Sequence, residues 1–447
     1  MKSLQQSKQQ QLYLALKAGS EDVIASHRPE SPTDRPRLLE EILERDNMER
    51  AVKRVIQNKG APGVDGMNVR KIRRYLDRHW PKIRQALLDG DYAPMPVRRK
   101  EIPKPGGVRL LGIPTVLDRV IQQAVARVLN RIWEPVFSEH SFGFRPGRSQ
   151  HDAIREYRDY VKSGLRFVVD IDLSKFFDRV NHDRLMARLA TRIQDKRVLK
   201  LIRSFLTAGV MDDGLVKATW EGTPQGGPLS PLLSNIVLDE LDKELERRGL
   251  CFVRYADDCV IFVGSKRAGD RVMESISRFI EKKLRLKINR DKSAVGRPWE
   301  RKYLGFCVTN SRKNPKIRLH WKTIKRFKER VREITARRRG RSIRQIIGEL
   351  NRFMARWWNY FRIAESYNRL RPLPHWIRRR LRAVIWKHWK NRRTRVGELL
   401  KRGISRNYAV TTGCARKGPW RMSKVKWVNI ALPDDYFTSL GLMFPWG

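Results

Sequence analysis

The chain has few cysteines, few acidic side chains and no long apolar run, and each shortage excludes a class of protein. Cys251, Cys259, Cys307 and Cys414 form no C-x-x-C pair, which excludes a zinc ribbon and a disulfide-rich secreted framework. No stretch reaches the roughly 18 apolar residues that a membrane-spanning helix needs. The polar start at Met1 lacks the apolar segment of a signal peptide. We therefore expect a cytoplasmic protein with reduced thiols.

The shortage of acidic residues leaves a large positive charge. The 447 residues include 96 Lys and Arg against 47 Asp and Glu, a formal net charge of +49. This excess would repel itself in a compact fold unless a polyanion neutralised it, so nucleic acid is the leading partner and an anionic membrane surface the alternative. The last 137 residues hold 37 Lys and Arg against 7 Asp and Glu. We expect this third to be the main polyanion-binding region.

The hydrophobic pattern changes from mixed helix and strand to helix alone near residue 321. Before that point, helical periodicity at residues 38–58, 69–89, 117–133, 150–162, 175–191, 231–248 and 271–284 alternates with strand patterns at 97–102, 108–113, 166–172, 251–263, 286–288 and 303–308. After it, residues 323–337, 342–364 and 374–391 have the pattern of long basic helices, and 402–447 have no clear periodicity. The order predicts an α+β domain with a mostly antiparallel sheet, followed by an α-helical domain.

The segment Tyr255-Ala256-Asp257-Asp258 joins two apolar strand patterns across a hairpin-sized gap. Adjacent aspartates at such a tip crowd two negative charges, and burying them is costly without a cation. Hard divalent cations prefer carboxylate oxygen. Asp is also a common turn former, so a solvated turn without metal is an alternative for this segment taken alone.

A third carboxylate ends the strand pattern at residues 166–172. Alternate residues share one face of a strand, so the apolar residues would pack in the core while Asp172 lies on the other face. If this strand neighbours the hairpin, Asp172 meets Asp257 and Asp258. Three carboxylates can hold two divalent ions about 3.5–4 Å apart for in-line phosphoryl transfer. Asp170 would share a face with Asp172 and is an alternative ligand.

Seven sequence blocks stand in the order found in reverse transcriptases, and the chain resembles the reverse transcriptase/maturase encoded by bacterial group II introns. The blocks are Gly60–Gly66, Ile102–Gly107, Leu111–Pro114, Ser141–Ser149, Asp172–Asp178, Pro224–Asn235 and Tyr255–Asp258. The resemblance covers about residues 37–430. It implies a right-hand polymerase of α+β class, with fingers and an antiparallel palm sheet, followed by an α-helical thumb.

The resemblance also implies a division of the chain. The expected parts are a tail or linker at residues 1–36, an N-terminal extension with the start of the fingers at 37–95, fingers and palm at 96–315, a helical thumb or maturase domain at 316–395, and a short basic DNA-binding segment at 396–447. The motifs themselves do not suggest a function for the first part.

Asp172, Asp257 and Asp258 match the catalytic and metal-binding aspartates of the family, which implies two Mg2+ ions, with Mn2+ as an alternative metal. The primer-grip segment is matched by Tyr303, Leu304, Gly305 and Phe306. These roles come from the resemblance and are expectations for this chain.

Four further residues match the dNTP-binding set of the family. Phe177 falls on the aromatic steric gate, where a bulky ring clashes with a 2′-hydroxyl and favours dNTPs. Lys104 and Arg109 match residues that hold the triphosphate, and Gln225 lies in the turn that lines the nucleotide pocket. From the residues alone, the alternatives are a core residue at a helix start for Phe177, solvated hairpin charges for Lys104 and Arg109, and an ordinary loop for Gln225.

The helical third combines basic and aromatic residues, which suits contact with RNA phosphates and stacked bases. The residues expected to bind RNA are Arg356, Arg378, Arg379, Arg382 and Lys390. The alternative for each tryptophan in these helices is simple packing in the core.

The implied function is that of an RNA-directed DNA polymerase. It would bind its group II intron RNA, assist splicing as a maturase and copy the intron into DNA during retrohoming. The implied partners are intron RNA, target DNA with a primer strand, and dNTPs, with no membrane. Only Cys414 follows the thumb, so the pattern resembles the group IIC branch, which lacks the H-N-H endonuclease. The alternatives are a host-adopted reverse transcriptase and a splicing-only RNA-binding maturase.

Overall fold

The computed structural model describes residues 37–104, 107–212, 215–217, 221–223, 226–337 and 340–446. The expected tail at residues 1–36 and the predicted site residue Gln225 lie outside this part of the chain, as do the side chains of Lys104 and Arg109. Across the described ranges, no helix is both long and apolar enough to cross a membrane.

The segment of residues 38–282 supplies the fingers and most of the palm. Its helices are α1 (Leu38–Ile42), α2 (Arg45–Gln57), α3 (Ile72–Asp89), α4 (Val116–Trp133), α5 (Gln150–Lys162), α6 (His182–Ala190), α7 (Lys196–Thr207), α8 (Ser230–Arg247) and α9 (Lys266–Lys282). Its strands are β1 (Val97–Lys104), β2 (Gly107–Ile113), β3 (Phe167–Ile171), β4 (Val210–Asp212), β5 (Leu215–Lys217), β6 (Cys251–Tyr255) and β7 (Asp258–Val263).

The remaining elements are three short strands followed by helices. The strands are β8 (Ala294–Gly296), β9 (Phe306–Val308) and β10 (Ile317–Leu319). The helices are α10 (Trp321–Ile334), α11 (Ile343–Phe361), α12 (Leu373–His388), α13 (Arg392–Leu400), α14 (Arg406–Gly413), α15 (Pro419–Met422), α16 (Lys426–Ala431) and α17 (Asp434–Ser439). The predicted α+β domain followed by a helical domain is confirmed.

Local sequence signals account for several element ends. Ser149 and Ser342 each cap a helix, α5 and α11, through a capping box in which side chain and backbone satisfy each other. Gly90 ends α3 in the left-handed conformation that suits glycine at this position.

Two separate sheets carry the fingers and the palm. The fingers sheet has the strand order β2-β1-β4-β5, in which β1 and β2 form a long antiparallel hairpin. The palm sheet has the order β6-β7-β3-β8 and is antiparallel throughout. The central strands β3 and β7 therefore each have a hydrogen-bonded neighbour on both edges. The loop after β3 and the turn before β7 lie at the same end of the sheet.

The palm sheet is buried on both faces, and each face contributes to a different core. Val169 and Ile171 of β3 and Ile261 of β7 pack in the core shared with the fingers and the N-terminal helices. Val168 and Val260 pack in the second core, which continues into the thumb and the C-terminal helices. Because successive side chains of a strand point to opposite faces, the palm sheet packs against the fingers side with one face and against the thumb side with the other.

The structure differs from the sequence expectations in several places, and the predicted strand at 286–288 is not among the strands. The predicted helix at 175–191 is a 3-10 turn at Phe176–Arg179 and then α6, because Asn181 caps a new helix start with its side chain. Helix α7 was missed, and residues 402–447 contain the short helices α14 to α17. The expected boundary between residues 395 and 396 falls inside α13, and the domain boundaries stay predictions.

Candidate active site at the palm hairpin

The palm hairpin ends in a two-residue turn that carries the adjacent aspartates. Tyr255 pairs with Asp258 at the last register position of β6 and β7, so Ala256 and Asp257 form the turn itself. Ala256 has a left-handed backbone with φ of 55°, which costs a non-glycine residue roughly 1 kcal/mol. The guanidinium of Arg254 donates from Nη1 to the carbonyl oxygen of Ala256 at 2.9 Å. A side chain of the same hairpin therefore holds this strained turn.

Strand register brings the third carboxylate to the same place. Ile171 of β3 lies opposite Cys259 of β7, so the next position sets Asp172 opposite Asp258. Both residues line one cleft between the palm and the thumb. The carboxylate oxygen Oδ1 of Asp172 lies 3.7 Å from Nζ of Lys292. Two of the three predicted metal ligands therefore share one face of the sheet, and the third adjoins them in the turn.

Asp170 shares this face but has a strong partner. Arg301 donates to Oδ2 of Asp170 from Nε at 3.0 Å and from Nη2 at 2.5 Å. A carboxylate held by a guanidinium in this way is neutralised within the protein. Asp172 is the better candidate for a metal ligand, since its contact with Lys292 is longer and more exposed.

Asp172, Asp257 and Asp258 form an acidic corner in which like charges lie close together. Asp258 is exposed to the cleft, yet the cleft walls displace much of its water, and this desolvation together with Asp257, Asp170 and Asp172 raises the pKa of its carboxyl to about 6. Lys302 opposes that shift.

The corner fits a divalent cation in chemistry. In the described part of the chain, no three His, Cys, Asp or Glu side chains are close enough together to hold a metal as they stand. The donors at the corner are nevertheless carboxylate oxygens, which hard cations prefer, and a cation would relieve the repulsion that raises the pKa of Asp258. The residues therefore fit Mg2+ or Mn2+.

A buried ion pair lies directly behind the turn. Arg254 donates to the two carboxylate oxygens of Asp242 at 2.7 and 2.5 Å, and both side chains are completely buried. Its Nη1 also donates to Oδ1 of Asn235 at 3.1 Å. Sequence reasoning missed this network. Its signal was a single arginine inside the apolar strand β6, which requires a buried acidic partner.

A short segment ending at Gly143 adds a further edge to the palm sheet beside β6. The backbone N–H of Arg254 donates to the carbonyl oxygen of His140, and the backbone N–H of Phe142 donates to the carbonyl oxygen of Arg254, each at 2.9 Å. The amide of Asn235 donates to the carbonyl oxygen of Gly143 at 2.8 Å. The block that begins at Ser141 thus supports the hairpin from the side opposite β7.

The predicted primer-grip residues form a tight turn at the edge of the cleft. Tyr303 and Phe306 exchange backbone hydrogen bonds at 3.0 and 2.8 Å, and both side chains are buried. Leu304 and Gly305 have positive φ values of 48° and 90° and line the cleft. The hydroxyl of Tyr360 donates to the carbonyl oxygen of Leu304 at 2.9 Å, which anchors the turn to the thumb.

The cleft has a volume of about 870 Å³ and carries opposite charge on its two sides. The acidic corner lies on the palm side. The other side has basic residues, namely Lys302, which precedes the primer-grip segment, and Lys322, Arg326 and Arg330 of α10. Aromatic side chains lie between them, namely Trp321, Phe353, Trp357 and Phe361. Such a surface suits a nucleic-acid strand whose end reaches the acidic corner.

Phe177 is half-buried and lies beside the segment that leads to the Pro-Gln-Gly-Gly block. Its carbonyl oxygen accepts the backbone N–H of Thr223 at 2.7 Å. Gly222 has φ of 92°, and a Cβ there would lie 2.9 Å from the same oxygen. On the other side, a Cβ at Gly226 would lie 2.7 Å from the carbonyl oxygen of Gly112 in β2. Gly222 and Gly226 therefore permit close approach to the backbone of Phe177 in the palm and of Gly112 in the fingers hairpin.

Two arginines that were predicted to bind RNA are engaged within the protein. Arg378 and Arg382 each contact a different carboxylate oxygen of Asp434 at 2.9 Å. Arg382 is buried and also donates from Nε to the carbonyl oxygen of Leu432 at 2.8 Å. Both residues attach the C-terminal helices to α12, so the expectation of RNA contact has less support for them than for the exposed residues.

The other predicted RNA-binding residues face solvent or an aromatic neighbour. Arg356 and Lys390 are exposed. Arg379 is half-buried with its guanidinium 3.7 Å from the ring centre of Trp420. By contrast, Trp386 is completely buried. This residue packs in the core, which was the alternative given for each tryptophan of these helices. The helical domain thus has a packed aromatic core and a separate basic surface.

Taken together, an antiparallel palm sheet with carboxylates at its hairpin, a fingers sheet and a helical thumb across a cleft define a nucleic-acid polymerase of the reverse transcriptase class. Residues 100–308 match the reverse transcriptase (RNA-dependent DNA polymerase) family. Residues 324–403 match the group II intron maturase-specific domain. The chain belongs to the group II intron reverse transcriptase/maturase family.

Similar individual proteins include a bacterial protein, an intron-encoded protein and a telomerase. The chain is 37% identical to protein YkfC of Escherichia coli (strain K12), over 58% of this chain and 79% of that one. It is 32% identical to the group II intron-encoded protein LtrA of Lactococcus lactis subsp. cremoris, over 61% of this chain and 56% of that one. Among solved structures, a telomerase from Candida albicans aligns over 67% of this chain and 63% of that chain, with 14% identity and a TM-score of 0.42.

Proposed function

We propose that this reverse transcriptase copies its group II intron RNA into DNA at an integration site and also stabilises the splicing-competent fold of that RNA. The observation that carries the polymerase part is the cleft, where the carboxylates of Asp172 and Asp258 face the basic and aromatic side of α10. The maturase-specific domain implies binding of intron RNA. Retrohoming and the likeness to the group IIC branch are proposals that rest on the sequence resemblance.

Asp172, Asp257 and Asp258 would hold the metal ions, and bound Mg2+ supplies a lowered pKa for the attacking 3′-hydroxyl and compensation for the charge on the transferring phosphate. The side chains have other tasks. Lys302 and the basic residues of α10 bind the phosphates of the primer strand. The turn at Leu304 positions the end of that strand against the acidic corner.

Primer extension on an RNA template tests the catalytic assignment. Asp257→Asn removes a carboxylate charge from the turn, and cDNA synthesis should fall by at least about a hundredfold because metal-borne charge stabilisation is lost. Asp291→Asn is the matched control, since Asp291 lines the same cleft and is not among the proposed ligands. Wild-type cDNA synthesis by the Asp257 variant would contradict the assignment.

Nucleotide selection is a second proposal for the same site. Phe177 would lie under the sugar and exclude a 2′-hydroxyl, while Lys104, Arg109 and Gln225 would bind the incoming dNTP. Phe177→Ala should admit rNTPs, and incorporation of a single rNTP against the matching dNTP measures the change. An unchanged ratio would remove Phe177 from this role.

The maturase role can be separated from polymerisation. Because Asp257 lies in the palm and the basic surface lies on the thumb, Asp257→Asn should still assist intron splicing in vitro. Removing charge at Arg356 and Lys390 should weaken RNA binding while leaving the acidic corner intact. Loss of splicing assistance in the Asp257 variant, with normal RNA affinity, would argue against a separate maturase surface.

A further inference from the structure

A second cavity, of about 350 Å³, lies in the thumb at the junction of α10, α12 and α15. In the described part of the chain, it shares no lining residue with the cleft that holds the acidic corner. On α10, the cleft is lined as far as Arg330 and the cavity begins at Arg332, so the two sites adjoin along this helix. The lining of the cavity includes none of the aspartates of the acidic corner, so the two sites are chemically distinct.

The positive charge in this cavity has no acidic partner among the residues that the structure describes. Arg332, Arg337 and Arg380 line it, and no carboxylate of the described residues lies within ion-pair distance of any of them. Arg380 instead donates from Nε to Oγ1 of Thr335 at 2.6 Å. Burial and the two neighbouring arginines lower the pKa of its guanidinium to about 10. This differs from Arg378 on the same helix, whose charge Asp434 neutralises.

Two indole rings form the apolar part of the cavity. The cationic groups of Arg332 and Arg380 lie 5.7 and 5.6 Å from the ring centre of Trp376. The guanidinium of Arg379 lies 3.7 Å from the ring centre of Trp420, which is 37% exposed. Aromatic faces beside guanidinium groups bind planar bases by stacking, whatever the base.

A ligand for this cavity must combine negative charge with a flat aromatic group. A phosphate satisfies the three arginines, and a base fills the space beside the indoles. The volume is near the lower end of the roughly 300–1,000 Å³ of ordinary ligand pockets, which suits one nucleotide. A base that is paired within a duplex cannot enter a concave site, whereas an unpaired base can turn out of its strand.

The geometry points to a binding site for one unpaired nucleotide of a single strand, with its phosphate on Arg332, Arg337 and Arg380 and its base against Trp376 or Trp420. This inference rests on the proposed function, because it specifies how the thumb holds nucleic acid. It adds a site for a single-stranded segment on the thumb, outside the lining of the cleft.

Binding of short fluorescent oligonucleotides to the full-length protein tests the site. The probes are an unstructured single-stranded RNA, a single-stranded DNA of the same sequence and an RNA duplex, with anisotropy measured at one salt concentration. The cavity variant is Arg332→Gln with Arg337→Gln. Its control is Arg344→Gln with Arg371→Gln, two exposed arginines outside the cavity, which removes the same charge.

The cavity variant should lose on the order of tenfold more single-strand affinity than the control, because charge-assisted contacts to one phosphate are lost. Duplex affinity should fall equally in both. Trp420→Leu should lower single-strand affinity about fivefold to 150-fold, the range for losing one stacked base. A loss confined to RNA identifies an RNA strand as the source of the nucleotide, and equal losses for RNA and DNA identify a site for either strand.

Equal loss of single-strand affinity in the cavity variant and the control would overturn the inference. So would a loss that is as large for the duplex as for the single strand. Primer extension by the same proteins keeps the two ideas distinct. If the wild type binds RNA and extends a primer but the cavity variant matches its control, the cavity inference fails and the proposed function stands.

Discussion

A methyl group added at Gly143 should slow catalysis by displacing the turn that carries Asp257. A Cβ at Gly143 would overlap the backbone nitrogen of Ala256 and would lie 2.9 Å from Ala256 Cα and from the carbonyl carbon of Tyr255. Non-bonded carbons settle about 3.5–4.0 Å apart, so the turn must move by roughly 1 Å. Every atom it meets is backbone, so no side-chain rotation can relieve the overlap.

Neither side of this contact yields easily. Asn235 holds the carbonyl oxygen of Gly143 at 2.8 Å, and Arg254 holds that of Ala256 at 2.9 Å. A misplacement of about 1 Å in a reacting group can cost on the order of a hundredfold in rate, or about 2.7 kcal/mol of activation free energy. Overpacking should also lower the free energy of unfolding by about 1–3 kcal/mol.

Single-turnover primer extension at saturating dNTP measures the catalytic effect of Gly143→Ala, and thermal unfolding measures the structural one. Gly264→Ala is the control, because Gly264 follows β7 and a Cβ there meets nothing within 4 Å. A folded Gly143 variant with a rate within twofold of wild type would refute the reasoning, because the turn would then tolerate the shift.

Three further predictions concern the residues around the turn. Asp242→Asn leaves the buried guanidinium of Arg254 without its carboxylate and should lower the free energy of unfolding by about 3–5 kcal/mol, measured by urea denaturation; a loss below about 1 kcal/mol would contradict the structure. The carboxyl of Asp258 has its pKa raised to about 6, so protons compete with Mg2+ below that pH. The apparent Mg2+ dissociation constant should therefore rise up to about tenfold per pH unit below pH 6 and level off above pH 7. Titration of Mg2+ in primer extension from pH 5 to 8 measures this constant, and a dissociation constant that does not change with pH would count against the prediction. Tyr360→Phe removes the hydrogen bond to Leu304, worth about 1 kcal/mol, and should raise KM for primer-template more than it lowers kcat in steady-state extension; the reverse pattern would argue against a positioning role.

Strand and helix positions near the site were largely predictable because their signals are local. The strand pattern at 166–172 became β3 (Phe167–Ile171), and the helix pattern at 231–248 became α8 (Ser230–Arg247). A short run of apolar residues and a helical periodicity are local signals, and they require no knowledge of distant partners. The predicted helix at 175–191 broke at Asn181, since a side-chain cap there competes with continuation of the helix.

The supports of the site were not predictable in the same way. Arg254 was visible as an arginine in an apolar strand, but its partner Asp242 depends on how α8 packs against β6. Gly143 stood in a block that resembled the family, yet its contact with the turn appears only when the segment pairs beside β6. Close approach of two backbones leaves no periodic trace in a sequence.

By itself, the sequence determined the class of reaction and the class of polymer. Asp172, Asp257 and Asp258 stand at strand ends where alternation and turn chemistry predict them, and a net charge of +49 indicates a polyanion. These signals depend on residue type and local spacing, which the chain carries whether folded or not.

Only the tertiary structure decided which charges have partners. Asp170 is neutralised by Arg301 from 131 residues away, and Arg382 is held by Asp434 from 52 residues away. Arg380, two positions before Arg382, faces a cavity without a carboxylate in ion-pair range among the described residues. The physical reason is that a side chain already paired within the protein is less available to bind a charged ligand. The packing of distant segments determines which side chains are paired in this way.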